Sequence, residues 1–330
     1  MNFEEDLADN LKVAGVLNET EHAQIIAHNR NNLFSVGFEL RTLLYCGVLL
    51  ATTGFGIVIY RNIDTIGHDA IIAFIALLCA SCFIYCFSHR SPYSNNHVES
   101  PNAFFDYVLL SGCLLFLTLE GYLQYQHRIF GERYGLATII PALLFFALAY
   151  LFDHKGVLSM AITALCAWIG ITVTPLDLLS KNDFAGEHFI YAALATGAVF
   201  IAVAYYSNEQ EIKKHFSFTW LNFAANLLFI ATLSGLFSND WNLLYLLVLA
   251  ALVFYFIRYA RSKNSFYFLL IAVIYGYIGV TYELFHWLDR AGLLAAFSML
   301  GLIYFVVSCI LIIKFLKDYK KILKTDVSVQ

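Results

Sequence analysis

The sequence predicts an all-α fold: a polytopic integral membrane protein of about ten transmembrane helices behind a small N-terminal cytoplasmic helical hairpin. Three observations carry that reading. Sixty per cent of the 330 residues are hydrophobic and only 13% are charged, far from the composition of soluble domains. Mostly apolar runs of about 20 residues, the length that crosses a hydrocarbon core, recur along the chain. Aromatic residues gather at the ends of those runs ("FFDY", "AYY", "FHW"), where an interfacial belt is expected.

Residues 1–42 come first and are soluble in character. In "FEEDLADNLKVAG", Leu7, Leu11 and Ala14 share one helical stripe, and Gly15 suits a C-terminal stop. "LNETEHAQIIAHN" restarts a helix, with Asn18 as N-cap and Glu21 three residues on in capping-box spacing. Two such short helices cannot hold a core alone. They are expected to dock through residues 4–30 on a cytoplasmic loop, on a second copy or on another cytoplasmic protein. "MNFEEDLADN" has no apolar core of its own, so it does not read as a cleavable signal peptide.

The bundle is expected over 43–316. Its spans lie near 43–60, 69–88, 103–125, 135–152, 156–174, 188–206, 216–237, 241–259, 264–284 and 291–315. Small residues that permit close helix approach recur, among them Gly47, Gly54 and Gly56, Ala193 with Gly197, Gly276 with Gly279, and Ala291 with Ala295. Pro141 lies inside the fourth span and is expected to bend it. The stretch 317–330 is a basic cytoplasmic tail, reading as a helix that emerges from the membrane.

Charge sets an orientation. If both termini share a side, that side collects 15 of the 20 Lys and Arg residues, among them Arg90, Lys155, Lys213 and Arg261. Cytoplasmic termini follow from that three-to-one bias; the bacterial inner membrane expected as the location is what the family resemblance given next implies. The opposite face holds ten acids against five bases.

"LADNLKVAGVLNETEHAQIIAHN", followed by "LLYCGVLLATTGFGIVIYRNIDTIGHDAI", resembles a family of predicted bacterial membrane proteins, domain of unknown function 2157. The shared pattern includes Leu11, Gly15, Leu17 and Ile25. "RYGLATIIPALLFFALAYLFDHKGVLSMAITALCAWIGITVTPL" looks like the version common in Bacteroidota. The resemblance implies a short helical module followed by many hydrophobic segments. It implies no chemistry, so no catalytic residue is carried over.

Polar residues inside or at the ends of spans are the handles on function. Asp106 and Glu120 are 14 residues apart, on nearly one helix face and about 21 Å apart along the axis. The uncharged run between them is too short to cross a membrane, so a full span takes in at least one of them. Glu120 is either an interfacial residue or a working site. Glu283 falls at the same expected depth, with His286 one turn on, and His127 follows Glu120. Together the four could form a proton- or cation-responsive vestibule. Asn222 and Asn226 stand at i, i+4 and read as interhelical glue. Asp153, His154 and Lys155 read as a solvated turn.

All seven cysteines sit in apolar runs, where they pack as small hydrophobes. Cys79, Cys82 and Cys86 share one helix face, a spacing a soft metal would accept, but one helix rarely completes such a site. No cofactor is implied. There is no GxSxG, HExxH, Walker or GxGxxG motif in a fitting context, and no basic aromatic groove for nucleic acid.

Three functions remain open on these grounds. The first is a transporter or channel for a small solute or ion. The second is a membrane-embedded scaffold or sensor whose hairpin docks a cytoplasmic partner. The third is an envelope- or lipid-modifying enzyme, which lacks any visible nucleophile or metal set.

Overall fold

A computed structural model describes residues 67–131, 133–173, 186–238, 242–292 and 294–327, with scattered positions before 67. Among them are nine α-helices and no strand. They are α1 (His68–Ser88), α2 (Ala103–His127), α3 (Leu136–Phe152), α4 (Lys155–Val173), α5 (Glu187–Glu209), α6 (Ser217–Ser238), α7 (Asn242–Ser262), α8 (Phe266–Arg290) and α9 (Leu294–Val327). A short 3₁₀ turn, Lys214–Phe216, leads into α6. Nine of the ten expected spans therefore coincide with helices; the tenth, 43–60, falls largely outside the described residues.

Seven of these helices are long and apolar enough to cross a membrane, namely α1, α2 and α4 to α8. The apolar α3 is shorter, at 17 residues. The last helix does not stop at the expected membrane edge: α9 runs unbroken to Val327. Arg261, in the last turn of α7, stands over the Tyr319 ring of that extension at 5.8 Å.

Helix ends follow local chemistry. Asn102 caps α2, its side chain accepting from the Phe105 N–H at 2.7 Å, which satisfies one of the orphan donors of the first turn. Asp153 ends α3 in the left-handed region at φ 57°, a conformation Asp adopts more readily than most residues. Before the bundle, the Asn18 N–H donates to the Glu21 carboxylate at 3.0 Å. That is one arm of the capping box expected from the spacing.

By compactness the chain divides into Met1–Ile71 and Ile72–Gln330, with the boundary inside the first turn of α1. Within the second unit α6 is the most buried span and packs on α4, α5, α7 and α8. Trp220 of α6 stacks on Phe146 of α3 and meets Phe200 of α5 edge-on. Further along, Phe229 of α6, Phe256 of α7 and Phe268 of α8 form a second aromatic seam.

In lipid, apolar surface gains little by leaving one apolar medium for another, so close packing holds helices together. Two of the small residues singled out above show this. A Cβ on Gly197 would stand 2.5 Å from Leu228 Cγ, and one on Gly279 would collide with Leu249 Cδ2. The glycines leave room for Leu228 of α6 against α5 and for Leu249 of α7 against α8. Gly47, Gly54 and Gly56 have nothing within 4 Å of where a Cβ would be.

Candidate functional site

Two buried carboxyl groups define the polar interior, and they are opposites. At one end of the bundle the turn between α3 and α4 meets the loop before α6 and the 89–102 connection. Asp153 and Lys213 form an ion pair there at 3.0 Å, each side chain only 1% exposed. His215 Nε2 bonds the other Asp153 oxygen, Oδ1. The Val98 N–H donates to Asp153 Oδ2 at 2.6 Å. Lys213 is pinned as well: its N–H donates to the Asn95 carbonyl at 2.9 Å, and its ammonium stands 5.1 Å from the Tyr93 ring centre. His97 packs edge-on against His215 at 4.7 Å between ring centres.

Burial alone would raise the Asp153 carboxyl, but the Val98 N–H, the Lys213 ammonium and His215 together hold it below the usual carboxylate range. Beside it, Asp106 in the first turn of α2 accepts from Ser100 Oγ at 2.5 Å and lies 3.7 Å from His154 Nε2. Burial lowers the His154 imidazole, against the opposing pull of Asp106. The solvated turn expected at Asp153 to Lys155 is thus corrected for Asp153. An apolar-flanked "DHKG" says nothing of a lysine 60 residues away, so the buried pair was invisible in the sequence. The nearest local signal was an acid placed where α3 must end.

Glu120 is the opposite case. It continues the buried stripe of α2 formed by Phe105, Leu109, Gly112 and Cys113. The residue is 6% exposed, and neither carboxyl oxygen has a hydrogen-bond partner. The length argument required at least one of Asp106 and Glu120 inside the span, and α2 takes in both within one continuous helix. Gln124, one turn on, is occupied otherwise, bridging the Phe130 N–H and the Gly131 carbonyl at the α2 C-terminus.

The other expected site residues are distributed among different helices. Glu283 Oε1 and His286 Nε2 on α8 are also buried without partners, and the His286 ring stacks on Tyr282. The main packing partners of α8 are α6, α7 and α9, while those of α2 are α3 and α4. No hydrogen bond joins Glu120 to Glu283 or His286. His127 is exposed at the end of α2. Asn222 and Asn226 bond each other and are met from α8 by Tyr267 and Tyr275, the latter at 3.0 Å. The amides therefore do bridge helices, with two tyrosines the sequence reading had not paired to them.

Cys79 and Cys86 are buried and Cys82 half-buried. The α1 face they share lies against α2, where Cys79 Sγ is 3.6 Å from the Gly112 carbonyl. Among the described residues no three His, Cys, Asp or Glu side chains are placed to hold a metal ion. A cavity of about 70 Å³ opens between α4, α5 and α6, lined by Cys166, Ile169, Phe189, Ala193, Thr196 and Leu227. It is almost wholly apolar, and neither Glu120 nor Glu283 lines it.

Residues 9–158 match the family described as predicted membrane protein, DUF2157. The DUF2157 stretch covers α1 to α3 and the first residues of α4, so it contains Asp106, Glu120, Pro141 and Asp153. It stops short of Lys213, His215 and the whole of α5 to α9. No curated protein and no solved structure matches the chain.

Proposed function

We propose that this membrane protein is a transporter or channel for a small solute or ion, with Glu120 as its working carboxylate. The observation that supports the reading is Glu120 itself: a carboxyl within an apolar span, buried, with no donor on either oxygen. An unpaired charge in such a place is costly, so the group calls for a partner that moves, a proton or a cation. A carboxyl needed only for packing would do no better there than Gln or Leu.

The 15 Lys and Arg residues collected on the side of both termini support an inner-membrane protein with cytoplasmic termini. On that reading the Asp153–Lys213 cluster lies at the cytoplasmic end and Glu120 toward the outer one. The test uses the full chain reconstituted in liposomes with a trapped pH-sensitive dye and an imposed potential. Ion or proton flux is expected from the native chain and at least a tenfold loss from Glu120→Gln. Absence of flux in the native chain overturns the reading.

One observation favours a second reading, a membrane-embedded scaffold or sensor. The hydrogen bond from the Asn18 N–H to Glu21 supports a helical module ahead of the bundle, with a partner or a second copy to cover its apolar face. Deleting residues 1–42 would then abolish complex formation in detergent while leaving bundle stability intact. Unchanged complex size in the deletion would rule that docking role out.

A further inference from the structure

The partner of Glu120 can be sought in the helix that faces it. The register of α2 against α3 is set by two ring pairs, Phe105 with Phe152 at 5.7 Å and Phe116 with Phe145 at 6.2 Å. The helices are antiparallel neighbours. Glu120 stands one turn beyond Phe116, on the same buried stripe. Pro141 stands one turn before Phe145, buried on the face of α3 that carries Phe145. The two residues are therefore at one level of the α2–α3 interface.

Proline has no N–H. Inside a helix it leaves the carbonyl four residues earlier without its usual donor, and here that carbonyl belongs to Ala137. Carbonyls of a helix point toward its C-terminus, so the Ala137 oxygen is directed toward the level of Pro141. Two groups thus share one depth in an apolar setting: a carboxyl with no partner and a backbone carbonyl whose usual donor the proline removes. Both are acceptors. Helix breaks in membranes are tolerated where some other group satisfies the freed backbone.

We propose that Glu120 and the Ala137 carbonyl form a proton-binding site between α2 and α3, in which the carboxylic acid donates its O–H to the carbonyl that Pro141 leaves free. The stoichiometry is balanced: one proton makes one donor for one orphan acceptor. A metal cation would find the two Glu120 oxygens and this one carbonyl, too few for the six or more ligands that hard cations take. Loss of the proton removes the hydrogen bond and leaves both acceptors facing each other, which favours helix separation at this level. The inference rests on the reading of Glu120 as the working carboxylate and names its ligand as a proton. Pro141 acts through Ala137 as a positioning residue.

The test is infrared difference spectroscopy of the full chain in lipid, with hydrogen–deuterium exchange and pH titration. A protonated-carboxyl band is expected at neutral pH in the native chain and is expected to vanish in Glu120→Gln. Pro141→Ala restores an N–H to the helix and so occupies the Ala137 carbonyl. It is a substitution that helices accept, and a melting curve checks its fold. In that variant the band should shift in frequency, and Glu120 should release its proton about one pH unit lower, the tenfold change one net hydrogen bond supports. No Glu120-dependent band at neutral pH overturns the proton site. An unshifted band in Pro141→Ala overturns the Ala137 partner. A band that behaves as expected in a chain without flux sustains the site and overturns transport, which separates the two claims.

Discussion

Asp153 and Glu120 are carboxyl groups of the same protein, both nearly removed from solvent, with opposite surroundings. Asp153 meets a lysine, a histidine and a backbone N–H. Glu120 meets no donor at all. The difference lies in where each stands on its helix. Asp153 follows the end of α3, where loops from two other connections can bring polar groups to it. Glu120 lies within α2, where its neighbours are helix walls whose own N–H groups are already used. A carboxyl at a helix end can be satisfied by the fold; one inside a span waits for a ligand.

The largest expected break in this contrast is Lys213→Met. It leaves Asp153 buried beside its remaining partners but without its cation, and such a loss costs about 3–5 kcal/mol. Thermal unfolding in detergent should show it, and a change under about 1 kcal/mol would mean that the pair is dispensable. Gly279→Ala comes next, at about 1–3 kcal/mol of overpacking, because Leu249 occupies the place of the new methyl. If Gly279→Ala melts with the native chain, α7 and α8 do not depend on that close approach.

Acid should loosen the Asp153 end selectively. Asp153 and His154 both have native values below their usual ranges. Each therefore contributes stability that is complete above its usual value, about 4 for Asp and about 6.5 for His, and is lost as pH falls through the lower native one. Protection of the Val98 amide, taken relative to its intrinsic exchange at each pH, should fall on acidification ahead of that of amides in α6. A uniform fall across both would sink the idea. The smallest effect belongs to Glu120→Gln, whose amide N–H can take the place of the acid O–H as donor, and which should move the melting temperature by the equivalent of less than about 1 kcal/mol. A large destabilisation there would show that Glu120 is a structural residue, and the contrast with Asp153 would fail.

Much of this architecture was written in apolar runs. Nine expected spans became helices because about 20 apolar residues in sequence can satisfy their backbone in lipid only as a helix. The Asn18–Glu21 hydrogen bond, the close approach at Gly197 and Gly279 and the inclusion of Glu120 in α2 follow from spacing within a few turns. The basic stretch read as a helix emerging from the membrane is indeed helical, as the continuation of α9 to Val327.

What tertiary structure alone decided is who meets whom across long separations. Lys213 reaches Asp153, Tyr275 reaches Asn226 and Phe116 sets Glu120 against the level of Pro141, all through helices brought together by packing. Periodicity shows which face of a helix is buried, because it is a property of one segment. It carries no information on the neighbour, because in an apolar solvent many helix pairings bury similar surfaces and only side-chain fit distinguishes them. So the sequence by itself determined a membrane bundle and its suspect carboxyls, while packing determined that Asp153 is answered and Glu120 is not.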